Sequence, residues 1–228
     1  MGEVQDAVVA APAQAPAEGV PEWQAVYDFW FPPGLDDADA AAHRRMFDWW
    51  FGGGSNAALP RFAPVLEAAK AGRLDHWRAT PLGRVSLLIV LDQFPRGLFA
   101  GTPEAYASDL DALRIAEEGL RNGHYDAVAK PWEKTLFLLP LGHAEGPGHR
   151  DRLERAVAMA EAIAAEAPEH LQPLYQFSAG QARRHLDVVS RFGRFPHRNP
   201  VLGRPSTPEE AAYLEKGDFV HRRRPPEV

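Results

Sequence analysis

Proline follows threonine at three points of the chain, Thr80-Pro81, Thr102-Pro103 and Thr207-Pro208. At a helix start the threonine hydroxyl can accept a hydrogen bond from an amide of the first turn, and proline removes an amide that would lack a partner. Glu210 completes a T-x-x-E capping box in the third copy. The pattern therefore predicts three helix starts and favours a chain built from helices.

The remaining helices are predicted by apolar periodicity and by glycine and proline at their ends. Apolar residues repeat at i, i+3, i+4 and i+7 from Trp23 to Trp30. The apolar run from Val85 to Leu91 fits a buried strand by periodicity alone, but the cap at Thr80 favours a buried central helix. No convincing strand pair appears. We predict an all-α fold of antiparallel helix pairs, with no significant sheet.

A chain of 228 residues is expected to form one domain. Residues 1–20 are rich in Ala and Pro and are predicted to be a disordered tail. We place the domain at 21–217 and a basic, Pro-containing tail at 218–228. Acidic residues and two prolines in the opening segment argue against a signal peptide, and no apolar run reaches the roughly 18 residues of a membrane helix. These features favour a cytoplasmic protein without a membrane partner.

Composition excludes several classes of function. The chain has no cysteine, which excludes disulfides and thiolate metal sites, and its net charge of −6 makes nucleic acid an unlikely partner. The nine histidines include no i, i+4 pair and no H-E-x-x-H motif, so no metal site is predicted. No phosphate-binding or dinucleotide-binding loop occurs, and no cofactor is indicated.

The first polar cluster follows the apolar run and comprises Asp92, Gln93 and Arg96. Polar groups at the end of a buried helix need partners. One interpretation is a pocket floor at which an acid, an amide and a guanidinium converge. The other is an internal ion pair between Asp92 and Arg96, which are i, i+4 neighbours, although Pro95 disturbs that geometry.

The second cluster lies around His143 and Glu145, between Pro140 and Gly146. A histidine can act as general base near pH 7, and a nearby carboxylate can orient it. The two residues are therefore candidate catalytic groups. The alternative is a histidine that ends its helix against the C-terminal dipole.

The third cluster is the stretch R-F-G-R-F-P-H-R-N-P that begins at Arg191, on a predicted helix that also carries His185. A lone histidine beside apolar neighbours is usually a core residue, and arginines after a helix complement its dipole. A stiff turn at Gly193 and Pro196 would nevertheless swing the polar side chains back toward D-Q-F-P-R. The candidate ligand-binding residues of this stretch are His185, Arg194, His197, Arg198 and Asn199.

Several of these runs resemble a bacterial family of unknown function, DUF924. They are G-R-V-S-L-L-I-V-L-D-Q-F-P-R from Gly83, G-T-P-E-A-Y-A-S-D from Gly101, R-R-H-L-D-V-V-S-R-F-G-R-F-P-H-R-N from Arg183, and S-T-P-E-E-A from Ser206. The resemblance implies a helical fold similar to tetratricopeptide repeats and no assigned reaction. This chain departs from the family pattern at Gly97, where asparagine is usual, and at Ala144 and Gly146 within a usual His-Ser-Glu-Asp run.

The sequence thus supports three functional hypotheses. In the first, the clusters form an inter-helix pocket for a small anion such as a carboxylate or phosphate ester, since guanidinium and imidazole groups outnumber carboxylates. His143 would act there as base, oriented by Glu145. In the second, a helical-repeat scaffold binds a peptide or protein without catalysis. In the third, the polar runs only tie helices together.

Overall fold

The computed structural model describes residues 20–227. Within that range the chain is built from helices and contains no strand, which confirms the all-α prediction. None of these helices is both long and apolar enough to cross a membrane. The tail predicted at 1–20 lies, apart from Val20, outside the described residues. The tetratricopeptide-like arrangement stays a prediction.

In chain order the helices are α1 (Gln24–Trp30), α2 (Ala40–Phe51), α3 (Ala63–Lys70), α4 (Pro81–Leu88), α5 (Phe94–Leu98), α6 (Asp109–Arg121), α7 (His124–Ala127), α8 (Pro131–His143), α9 (His149–Glu166), α10 (Gln172–Phe192) and α11 (Pro208–Lys216). A π-helical turn, Ile89–Gln93, joins α4 to α5. Shorter 3-10 turns include Pro103–Tyr106, Pro196–Arg198 and Val220–Arg222.

Two of the three Thr-Pro pairs begin helices as predicted. The Thr80 hydroxyl accepts from the Gly83 amide at 3.1 Å. Thr207 and Glu210 form the predicted capping box, with hydrogen bonds of 3.2 and 2.9 Å. At Thr102 only a 3-10 turn begins, Pro103–Tyr106, and the predicted hydroxyl cap is absent. The Thr102 hydroxyl donates instead to the Phe99 carbonyl at 3.0 Å, and α6 begins at Asp109.

The central helix is buried on all sides, and the strand interpretation of its apolar run is wrong. Val85, Leu88, Ile89 and Val90 have no exposed surface. Helices α1, α6 and α8 pack against α4. Burying a side chain of this size contributes about 1.5–3 kcal/mol, so this helix anchors the fold and fixes the polar groups that follow it.

The C-terminal half packs on the two longest helices. Helices α9 and α10 lie against each other, and a short connection makes them antiparallel. A small apolar cluster at their ends contains Leu153, Val188, Val189, Phe195 and Val220. Through Val220, part of the segment predicted as a C-terminal tail is packed on the domain.

Candidate functional site

The first polar cluster is positioned by the π turn. In this turn the amide of Phe94 donates to the carbonyl of Ile89, five residues earlier. The wider turn lets the helix continue through Pro95, which has no amide to donate. Asp92 consequently faces the interior and is completely buried, and Gln93 is nearly so. The side-chain amide of Gln93 donates to the Asp92 carboxylate.

The buried carboxylate of Asp92 contacts the last residue of α8. The Nδ1 atom of His143 lies 2.8 Å from Oδ1 and 3.0 Å from Oδ2 of Asp92. The side chain of His143 is 20% exposed, whereas that of Asp92 is 1% exposed. Among the described residues, no group forms a hydrogen bond with Nε2 of His143. We call Asp92 and His143 the dyad.

The charge state of Asp92 follows from its neighbours. Burial alone would raise the pKa of this carboxyl, but the charges of Arg96 and His143 outweigh it and hold the pKa well below its usual range. One guanidinium nitrogen of Arg96 lies 3.6 Å from Oδ1 of Asp92. Asp92 is therefore an ionised carboxylate that fixes Nδ1 of His143 as the donor and leaves Nε2 as the basic nitrogen.

Arg96 continues the network into the third cluster. Its Nη2 donates to Oδ1 of Asp109 at 2.8 Å, and Oδ2 of the same carboxylate accepts from Arg198 at 3.1 Å. The Arg198 guanidinium lies 4.3 Å from the ring centre of Tyr106. Asp109 and Arg198 are 5% and 4% exposed, so a buried carboxylate bridges two arginines.

Glu145 does not orient His143, and the predicted pairing is wrong. The end of α8 turns its side chain away from the dyad, where Oε2 accepts from Arg204 and Oε1 from the amide of Phe195, both at 2.6 Å. Arg204 also donates to the carbonyl of Phe195 at 3.1 Å. Glu145 thus holds the R-F-G-R-F-P-H-R-N-P stretch in place, and Asp92 is the carboxylate that contacts His143.

Arg194 and Asn199 both form hydrogen bonds with a second carboxylate, that of Glu210. Arg194 forms a two-pronged pair with Glu210 at 2.7 and 2.9 Å. The buried amide of Asn199 donates to Glu210 at 3.2 Å and to Ser206 at 3.0 Å, and its oxygen accepts from Arg204 at 3.0 Å. We call Glu145, Arg194, Asn199, Arg204 and Glu210 the arginine lock.

The two remaining predicted residues, His185 and His197, pack on Phe195. Their rings lie 5.5 and 5.4 Å from the centre of the Phe195 ring. The stretch does turn back toward D-Q-F-P-R, but the residue that links it to that run is Arg198. His185 and His197 belong to an aromatic cluster beside the dyad.

Sequence reasoning missed three residues of the network, Asp109, Arg204 and Glu210. Asp109 begins α6 and Glu210 belongs to the capping box, so each has a role at a helix start that already accounts for it in the sequence. Their ion pairs with distant arginines could not be predicted from that role. Arg204 lies outside any helix. The available signal is that buried arginines require carboxylates, and these acids are close to turns that fold back on the network.

A cleft of about 230 Å³ opens beside this network. It is lined by Pro103, Tyr106, Ala107, Asp109, Leu110, Glu145, Arg198 and Leu202. Leu110 is 66% exposed at its rim, and Nε of Arg198 is buried without a hydrogen-bond partner. A second groove of about 410 Å³, which includes Trp23, Leu82 and Val128, shares no lining residue with the cleft.

No three metal-ligating side chains converge as a metal site anywhere in residues 20–227. His149, the nearest histidine to the dyad in sequence, is instead engaged by a carbonyl. Its Nε2 lies 2.8 Å from the oxygen of Gly142.

Comparison with known proteins places the chain in a family. The family described as "Bacterial protein of unknown function (DUF924)" matches residues 26–218. The chain belongs to the DUF924 family. A similar solved structure is that of a protein of unknown function, ATU0120 from Agrobacterium tumefaciens, with 34% identity over 86% of this chain and 97% of that chain and a TM-score of 0.63. Comparison with curated proteins finds no match.

At Gly97, Ala144 and Gly146, the resemblance to the family implies other residues, and the structure shows the surroundings of each position. A Cβ atom at Gly97 would collide with the side chain of Leu59 and lie 2.6 Å from Oδ1 of Asn56. The side chains of Leu59 and Asn56 therefore already fill the space that an asparagine at this position would need. Ala144 is completely buried. Gly146 has φ of 125°, a backbone conformation that an aspartate rarely adopts.

Proposed function

We propose that this DUF924 protein binds a small molecule beside the dyad and exchanges a proton with it through Nε2 of His143. The observation that supports the proposal is a fully buried, ionised Asp92 holding Nδ1 of a histidine that is 20% exposed. Such an orienting carboxylate fixes the tautomer and leaves Nε2 as the nitrogen that can act as a general base. Asp92 takes the role that the sequence suggested for Glu145.

The ligand we propose is an organic anion, a carboxylate or phosphate ester with a short apolar part. Arg198, Leu110 and Leu202 line the cleft, which suits a ligand with an acidic head and an apolar body. The guanidinium groups of the network are not unpaired, because each of these arginines already forms an ion pair with a carboxylate. The ligand's acidic group would therefore replace Asp109 as one partner of Arg198.

The test is a thermal-shift screen of the full chain against organic acids and phosphate esters, followed by titration of each hit. We expect a hit to bind Arg198→Lys at least tenfold more weakly, because lysine cannot present the same planar donors. His143→Gln should retain binding but lose conversion of the hit, followed by NMR. His76→Gln, at an exposed histidine paired with Glu22, is the matched control.

Two outcomes would overturn the proposal. One is a panel of acids in which none stabilises the protein. The other is a hit that binds or reacts equally well with wild type, Arg198→Lys and His143→Gln.

A further inference from the structure

Four histidines gather around Phe195 from four separate elements. The rings of His149, His185 and His197 lie 5.2, 5.5 and 5.4 Å from the centre of the Phe195 ring. His221 adds a fourth ring, 4.6 Å from that of His197. They come from α9, α10, the Pro196–Arg198 turn and the Val220–Arg222 turn. None of them is used by the dyad, and we call them the histidine cluster.

One side of the cluster is covered by the C-terminal strap, residues 218–223. Val220 is 6% exposed in the small apolar cluster, and its carbonyl accepts from Nε2 of Gln181 at 2.7 Å. The ring of Phe219 is stacked on His221 at 5.6 Å and contacts Tyr213 at 5.9 Å. The ion pair of Arg223 with Asp218 lies within the strap itself. Directly after the strap, Arg224 pairs with Asp48 at 2.9 Å. Because the strap is one short 3-10 turn with its flanking residues, it can open at these side-chain contacts while the helices of the domain stay folded.

The groups that face His185 are mostly positive or able to become so. They are His143 at the end of α8, His149 on α9, His221 on the strap and Arg198 after the turn. Burial is the largest cause of the lowered pKa of this imidazole, about 3, and these neighbours lower it further. His185 is therefore neutral at pH 7.

His197 has a similar environment. Burial lowers its pKa to about 2, with further contributions from His221, Arg198, His185 and Arg204. The pKa values of His149 and His221 are lowered as well, first by burial and then by Arg152 and Arg222 among others. In the described part of the chain, the acidic side chain that favours charge on a member of the cluster is Glu145, which acts on His149.

We infer that the C-terminal strap is an acid-released cover: acidification detaches residues 218–223 from the histidine cluster and uncovers His185 and His197 next to the site. Packing keeps these imidazoles neutral, and release lets them take up protons in water. The proposal does not depend on any chemistry at the dyad.

The direction of the pH dependence follows from proton linkage. In the released state each histidine regains its ordinary pKa near 6.5. Below that pH the released state binds protons that the packed state does not, so falling pH favours release. Each histidine that ionises on release shifts the equilibrium by up to about tenfold per pH unit. His185 and His197 together therefore give up to about a hundredfold for each unit below pH 6.5.

Hydrogen-exchange mass spectrometry of the full chain at pH 7.5 and 5.5, corrected for intrinsic exchange rates, measures release directly. We expect protection of the amides in 219–223 to fall at least tenfold at pH 5.5 while α4 and α8 stay protected. His197→Gln should weaken this response, because glutamine does not titrate and the contribution of His185 remains, and His76→Gln should leave it unchanged.

Two results would overturn the inference. One is strap protection that is equal at both pH values in the wild type. The other is a His197→Gln variant that responds as strongly as the wild type. Should His197→Gln lose helix content by circular dichroism, His221→Gln replaces it, since His221 lies on the strap with its ring 4.6 Å from that of His197, and its response must be weaker than that of the wild type. Gln181→Ala, which removes the hydrogen bond to Val220, should lower strap protection at both pH values.

Discussion

The dyad and the arginine lock are built from the same kinds of residue, yet they differ in what remains unpaired. In the lock, Asn199 uses its amide and its oxygen on Glu210, Ser206 and Arg204. In the dyad, a buried carboxylate fixes one nitrogen of His143, and no group within residues 20–227 forms a hydrogen bond with the other. Internally satisfied groups stabilise a fold, whereas a held and partly exposed base is arranged to meet something else. Asp109, with Arg96 and Arg198, connects the dyad to the Pro196–Arg198 turn that the lock holds in place.

The largest effect is expected at this connection. Asp109→Ala leaves Arg96 and Arg198 without their shared carboxylate, and an uncompensated buried charge costs about 3–5 kcal/mol in the free energy of unfolding. Urea denaturation measures this loss. Asp111→Ala is the matched control, because Asp111 lies on the same helix and its side chain is 58% exposed beside Arg114. We expect the control to change stability by less than about 0.5 kcal/mol. Equal stabilities would mean that the bridge contributes nothing.

The arginine lock itself should show the next largest effect. Glu145→Ala removes the acceptor for Arg204 and for the Phe195 amide, and we expect a loss of about 2 kcal/mol in the free energy of unfolding. The ¹⁵N chemical shifts of the His143 ring should not change, because Asp92 and not Glu145 orients it. Glu154→Ala, at an exposed pair with Arg150, should be nearly neutral. A changed His143 tautomer in Glu145→Ala would show that the two regions are coupled.

A third test, on the dyad side of the comparison, concerns Gly97, the residue after Arg96, which the side chains of Leu59 and Asn56 approach closely. Gly97→Ala places a Cβ atom against Leu59 and Asn56, and overpacking of this kind costs about 1–3 kcal/mol. Thermal unfolding of this variant should be compared with that of Gly180→Ala, within α10, where the nearest atom is 3.4 Å away on the flexible Arg184 side chain. The control should be neutral or slightly stabilising. A Gly97→Ala protein as stable as the control would remove the steric explanation of this glycine.

Local chemistry predicted the fold better than it predicted the pairings of the site. The caps at Thr80 and Thr207 depend on residues three positions away, so the sequence alone was sufficient there. Asp92 and His143 are 51 residues apart, and Asp109 and Arg198 are 89 apart. Proximity in the chain suggested Glu145 as the partner of His143, but the end of α8 turns the two side chains apart. The partners of these residues therefore needed the tertiary structure.

The smallest loss of stability is expected where we propose function. His143→Gln keeps a donor toward Asp92, and the side chain is 20% exposed, so we expect less than about 1 kcal/mol in urea denaturation. The buried His149, bound to the Gly142 carbonyl, is the matched comparison, and His149→Gln should cost about 2 kcal/mol or more. Conversion of any ligand found in the screen should be lost in the first variant and retained in folded protein of the second. If His143→Gln costs as much as Asp109→Ala, His143 is one more internally satisfied group, and the difference between the dyad and the lock disappears.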